Sequence, residues 1–275
     1  MRLAFSTLAF PGRMLADVAA AGSAMGYEGI ELRLVDGELI DSNMDASQRA
    51  RVRVAVEAAG LPVVAVDSSI RLTDGDPGPE IVRFLELANA WESPVVRVFG
   101  GALDDDPALR ARQIRGAADV LEAAVPAAER LGVAIGVETH DSFSASATVA
   151  ELLGLVPSPS VGAVWDSHHP HRMGETPSEI AANFGDRVLL AQVKDARRSS
   201  EKDGGWQLVL LGEGEVEVRA MLEVLAGRGY AGWVSVEWEK RWHAEIEEPE
   251  IALPQHIALL RAWMDEIDAT SEEQS

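Results

Sequence analysis

Cysteine is absent from the 275-residue chain, which excludes disulfides and thiolate metal sites and fits a reducing compartment. Positive charge is scarce as well. Lys and Arg total 24 against 45 Asp and Glu, a net charge of -21, and so acidic a surface repels phosphate backbones and anionic headgroups. No nucleic acid and no membrane is therefore expected as a partner, although a local basic pocket can still admit a small anionic substrate. Long apolar runs are missing too: none approaches the roughly 20 residues that a membrane span needs. The opening Met1-Arg-Leu-Ala-Phe-Ser6 reads as the start of a strand, with no signal-peptide core behind it. These absences together predict a soluble, cytoplasmic protein.

What is present is alternation. Short β-like runs at residues 3–6, 30–34, 63–66, 95–99, 133–140, 161–165, 188–193 and 233–236 are separated by longer amphipathic stretches. The helical stretches fall at 14–25, 47–59, 79–90, 107–131, 147–155, 177–183, 216–228 and 251–267. Eight β/α units without a linker-like break predict an α/β fold of one domain, a (β/α)8 TIM barrel over residues 1–268. Residues 269–275 read as a disordered acidic tail. A doubly wound open sheet would need a glycine-rich phosphate turn after an early strand, and none occurs.

The chemistry lies at the strand ends. In Val133-Ala-Ile-Gly-Val-Glu-Thr-His140, Glu138 closes an apolar strand and shares a face with Ala134 and Gly136, small residues that predict open space beneath it. A charge ending a buried strand is costly unless paired or bound to a metal. The pattern recurs at Asp166, Gln192 and Glu237, on strands six, seven and eight. In a barrel these strand ends are consecutive and share the C-terminal face, where active sites of this fold are built. Three carboxylates and one amide suit one divalent ion, Mg2+ or Mn2+ ahead of Zn2+. For any one of them a rim salt bridge is the plain alternative; four in succession argue against it. Arg97 enters either the mouth, as a substrate contact, or a buried ion pair. His169, three residues after Asp166, reads equally as a structural histidine or a substrate contact, and the case for His140 is weaker. Lys194 would be repelled by a neighbouring cation unless it meets substrate oxygens. Residues 195–215 form a long, cationic, glycine-bearing stretch that reads as a lid, an anion grip or a solvated loop.

Four pieces in order, Val-Glu-Thr-His at strand five, Asp166 with His169, Gln-Val-Lys-Asp at strand seven and Val-Glu-Trp-Glu at strand eight, resemble the sugar phosphate isomerase/epimerase family with xylose isomerase-like barrels. The resemblance spans nearly the whole chain. It implies that Glu138, Asp166 and Glu237 bind the metal, with Gln192 at a position often held by histidine. It implies further that Glu138 and Glu237 are catalytic, exchanging a proton next to a substrate carbonyl through a metal-stabilised enediolate, and that His169 and Lys194 hold substrate oxygens. The expected activity is aldose–ketose isomerisation or ketose epimerisation of a small sugar or hydroxyketone. An inosose-type dehydratase is the alternative on the same scaffold, and a non-catalytic sugar-binding barrel is a third course. A homo-oligomer is compatible with all three. The DNA-repair branch of the family needs histidines on strands three and four, and neither strand has one.

Overall fold

Eight parallel strands close on themselves in the computed structural model, which describes residues 1–273. They are β1 Arg2–Ser6, β2 Gly29–Leu32, β3 Val63–Arg71 and β4 Val95–Phe99, then β5 Ala134–Glu138, β6 Val161–Asp166, β7 Val188–Val193 and β8 Trp233–Val236. Each pairs with the next, and β8 returns to β1 with Arg2 opposite Trp233 and Phe5 opposite Val236. The chain therefore folds as the expected (β/α)8 barrel.

The outer ring consists of α1 Leu15–Ala24, α2 Ala46–Ala59, α3 Gly78–Ala90, α4 Pro107–Leu131, α5 Ser146–Leu155, α6 Pro177–Phe184, α7 Val218–Gly227 and α8 Pro249–Glu273. Their starts are written locally. Asp45 and Thr176 form capping boxes with Gln48 and Glu179, and Asp106 accepts the backbone N–H of Ala108 and Leu109 ahead of α4. Among the described residues no helix is long and apolar enough to cross a membrane.

Three elements differ from the sequence expectation. Strand β3 runs on to Arg71, five residues past the expected end. Helix α8 continues to Glu273, through positions where the sequence predicts a disordered tail; Ala and Glu favour helix, and Thr270 Oγ1 donates to the carbonyl of Glu266 at 2.8 Å. Gln274 and Ser275 lie outside the described residues. The 195–215 stretch is ordered as a two-stranded hairpin, Asp195–Arg198 against Trp206–Val209. Its anchor is the Asp195 carboxylate, which accepts the N–H groups of Ala196, Gly212, Gly214 and Val216 at 2.8–3.1 Å. A Cβ at Gly214 would stand 2.1 Å from Asp195 Oδ1, so glycine is required where the loop wraps that carboxylate.

Inside the barrel, the two-residue strand period sorts side chains into tiers. The floor is apolar: Ala4, Val64, Ala65, Val95, Val164, Leu190 and Trp233 form a buried cluster of their own. Two residues after members of that cluster come Asp67, Arg97, Asp166, Gln192 and Ser235, all buried. Two further on, Phe99, Lys194 and Glu237 line a cavity of ≈60 Å³ at the mouth, together with Arg33, Glu138, His140, Glu239 and Trp242. The open space expected beneath Glu138 is filled. A Cβ at Gly136 would lie 2.5 Å from Val164 Cγ2, so the glycine makes room for the packed floor.

Candidate active site

The predicted strand-end residues converge. Glu138, Asp166 and Glu237 each offer a carboxylate oxygen within 4.8 Å of the others', and they are only 1%, 0% and 4% exposed. Asp166 divides its two oxygens between tasks. Oδ1 accepts the backbone N–H of His168 at 2.8 Å and of His169 at 3.0 Å, which starts the one-turn helix His168–Arg172 and leaves Oδ2 in no hydrogen bond. Gln192 stands beside Asp166 in register on β7 and is completely buried. Its Nε2 donates to Glu31 Oε1 at 2.6 Å, while its Oε1 has no hydrogen-bond partner.

A cation already stands among these acids. Lys194 Nζ lies 2.9 Å from Asp166 Oδ2 and 2.5 Å from Glu237 Oε2, and it also donates to Glu239 Oε1. The ammonium is thus tied to three carboxylates and is not directed to open solvent. Six buried or largely buried carboxyls (Glu31, Asp67, Glu138, Asp166, Glu237 and Glu239) face three cationic side chains, Arg33, Arg97 and Lys194. So large an acid excess in a desolvated place calls for further positive charge or for protons. Hard oxygen donors, among them the orphan Oε1 of Gln192 and the Asp166 Oδ2 that faces Lys194, fit a divalent ion, which these residues could hold.

The electrostatics move the two glutamates toward neutral pH. Burial pushes the Glu237 carboxyl up to about 8, against the opposing pull of Lys194. Burial raises Glu138 as well, with Arg97 acting against it. Burial would also raise Glu239, but Lys194 and His243 together outweigh it and hold that carboxyl well below the usual range. Burial keeps His169 neutral, its basicity lowered further by Lys194, and neither of its ring nitrogens has a partner.

Arg97 makes the buried ion pair and also lines the mouth cavity. Its Nε is 2.9 Å from Glu138 Oε2, its guanidinium is 3.4 Å from Asp67 Oδ2, and Nη1 donates to the carbonyl of Ser68 at 2.9 Å. Phe99 lies under it at 4.0 Å from the ring centroid. His140 gains a place that its sequence position did not give it. Its ring is 4.4 Å from that of His169, and with Glu138 the two histidines form a second group of metal-capable side chains.

Sequence reasoning missed Glu31 on β2, Asp67 on β3 and Glu239 beyond β8. Glu31 and Asp67 are completely buried inside the barrel, and Glu239 is the third partner of Lys194. The signal for Glu31 and Asp67 was an acid at an inward position of an apolar strand, whereas Glu239 follows the end of β8. A larger groove of ≈700 Å³ lies outside the barrel, between α1 and α2, and none of these acids lines it. Volume alone does not mark the chemistry.

Known proteins resemble this chain over most of its length. Fructoselysine 3-epimerase from Escherichia coli O157:H7 is 20% identical over 263 residues, covering 89% of this chain and 91% of the relative. Inosose isomerase from Halalkalibacterium halodurans is 25% identical over 233 residues, covering 77% and 78%. Among solved structures, the IOLI protein with a bound zinc atom superposes with a TM-score of 0.79 at 18% identity, covering 97% of this chain and 99% of that one. The curated relatives are epimerases and isomerases, and the chain is an enzyme of that group. With the closed barrel, the acids at the ends of β5 to β8 and a family model that matches residues 19–263, the chain belongs to the xylose isomerase-like TIM barrel family.

Proposed function

We propose that the protein isomerises or epimerises a small sugar or hydroxyketone by moving a proton at the carbon next to the carbonyl, with a divalent ion held by Glu138, Asp166, Gln192 and Glu237. One observation carries the reading: Glu138 and Glu237 meet in a dry cavity with their carboxyl pKa values raised by burial, that of Glu237 to about 8. A carboxylate in water is too weak a base for an α-proton, and a raised pKa brings it toward the working range. The bound ion supplies Lewis acidity, stabilising the negative charge that develops on the carbonyl and neighbouring hydroxyl oxygens.

The chain's own residues do the rest. One of the two glutamates takes the α-proton and the other delivers one. Delivery to the same carbon from the opposite face inverts it; delivery to the adjacent carbon exchanges aldose and ketose. His169, buried, neutral and without a partner at either nitrogen, donates to or accepts from a substrate hydroxyl. Lys194 lines the same cavity, and Glu239 gives its ammonium a seat beside the substrate oxygens when it leaves Asp166 and Glu237. Arg97 anchors Glu138, and its guanidinium closes the cavity floor.

Deuterium wash-in tests this directly. Ketoses incubated with the Mn2+-loaded protein in D2O should gain one deuterium at the α-carbon, and the gain should stop on chelation. A chain that binds ketose yet washes in no deuterium is a binding barrel. The inosose isomerase relative keeps cyclic ketones in the screen, where a product lighter by one water would mark a dehydratase.

A further inference from the structure

Gln192 poses a problem that a histidine at the same place would not. A primary amide has one end that can ligate a cation and one end that repels it, and the two are nearly the same size. Rotation by half a turn would exchange the ligand oxygen for two N–H groups. Something must tell the ends apart, and the backbone of β7 does not. Gln192 is fully buried, so water cannot do so either.

We infer that Glu31 is a positioning residue that fixes which end of Gln192 faces the ion. This rests on the metal reading above. The geometry is specific. Glu31 Oε1 lies 2.6 Å from Gln192 Nε2, both side chains are completely buried, and Gln192 Oε1 is left without a partner. An ionised carboxylate only accepts; a carboxyl that carries a proton tells the ends apart only while its O–H is turned to another group, and Asp67 lies beside it. The flipped amide would set oxygen against oxygen at Glu31 and aim N–H groups at a cation, both unfavourable in a desolvated site. Glu31 is itself located by the barrel: β2 pairs with β1 at Ser6 and with β3 at Ala65, two residues before Asp67. Asp67 in turn pairs with Arg97, and Arg97 with Glu138, another of the proposed ligands. Outer partners of this kind orient metal ligands, and their loss costs on the order of 10- to 100-fold in metal affinity.

Co2+ titration by calorimetry, with the visible spectrum of the bound ion as a second readout, tests the inference in four variants and the wild type. Glu31→Met, similar in size but without an acceptor, should weaken Co2+ binding by about tenfold or more and change the spectrum. Glu31→Gln keeps the size but can pair with either end of Gln192, so its Co2+ affinity should fall between those of wild type and Glu31→Met. The decisive pair is Q192H with and without Glu31→Met. An imidazole presents nitrogen whichever way it turns, so the loss caused by Glu31→Met should shrink to under about threefold there. Equal losses in both backgrounds would mean that Glu31 serves the fold alone and would overturn the inference, as would a Glu31→Met chain that binds Co2+ like wild type. Should Glu31→Met not fold, Glu31→Gln takes its place in both backgrounds, and equal losses with Gln192 and with Q192H overturn the inference. A wild-type chain that binds no Co2+ removes the metal reading, and this inference with it.

Discussion

The two halves of the barrel mouth differ in kind. Strands β5 to β8 present the carboxylates and the amide that can hold a cation; the carboxylates face Lys194 and Arg97, and the amide oxygen of Gln192 has no hydrogen-bond partner. Strands β2 to β4 present Glu31, Asp67 and Arg97, which pair with Gln192, with Arg97 and with Glu138. The ligand half carries concentrated negative charge that resists its own folding; the supporting half compensates it. Substitutions on the two sides should therefore separate activity from stability, and the sharpest test lies at Glu237. Glu237→Gln is expected to lower turnover by at least ~10³-fold, about 4 kcal/mol of transition-state stabilisation, with a melting temperature near that of wild type. A fully active variant would remove Glu237 from its role, and one that failed to fold would erase the contrast between the halves.

Arg97→Met attacks the other side. It leaves Asp67 and Glu138 buried without their shared cation, and breaking such a buried set costs about 3–5 kcal/mol. Urea denaturation of the metal-free chain should show that loss. If the loss stayed below about 1 kcal/mol, the supporting half would not be supporting in any energetic sense.

How much of this was legible depends on whether the signal is local. The barrel was, because each strand and helix announces itself within a dozen residues through its period, its caps and its glycine stops. The ligand half was legible for a related reason. Glu138, Asp166, Gln192 and Glu237 each end a strongly apolar strand, and consecutive strands of a barrel share one face. Glu31 is no less buried, but it lies within Gly29-Ile-Glu-Leu32, where one acid among apolar residues looks like a rim salt bridge. What gives it meaning is Gln192, 161 positions away in sequence. The hairpin at 195–209 was unreadable because its organiser is one carboxylate, Asp195, gathering four N–H groups from a loop without hydrophobic period. Lys194 was visible as a puzzle. The sequence placed a cation beside cation ligands, and only the structure shows Glu239 as its third partner.

Behind β8, outside both halves, His256 on α8 provides a control. It is completely buried against Trp238, its Nδ1–H donates to the carbonyl of Ala252 at 2.7 Å, and burial lowers its pKa to about 4. Below pH ~6.5 the unfolded chain takes up a proton that the folded chain refuses until about pH 4, so this group makes stability fall as pH falls through that window. His256→Asn keeps a donor for Ala252 without titrating. The variant should match wild type at pH 8 and exceed it by up to about 3 kcal/mol near pH 4, with wash-in activity unchanged at neutral pH. A parallel pair of stability curves would show that His256 is protonated in the fold.

The smallest expected effect asks what Lys194 does between the halves. Its ammonium lies against Asp166 and Glu237, two of the groups proposed to hold the ion, so the protein's own cation and the metal compete for them. Lys194→Met removes the competitor while keeping the stem that packs through the mouth. Mn2+ affinity should rise by about tenfold or more, ~1.4 kcal/mol, because a monovalent ammonium and a divalent ion drawing on the same carboxylates repel even at a generous effective dielectric. The metal-free chain should lose stability at the same time, since Asp166, Glu237 and Glu239 are left facing each other without a cation. Calorimetric titration with Mn2+ and denaturation with and without the ion read both arms. Tighter Mn2+ binding with a raised KM would give Lys194 two tasks, guarding the empty ligand set and meeting substrate when the set is filled. Unchanged Mn2+ affinity would mean that the ammonium already rests on Glu239 when the ion binds. The boundary between the halves would then be fixed by Glu239 and not by Lys194.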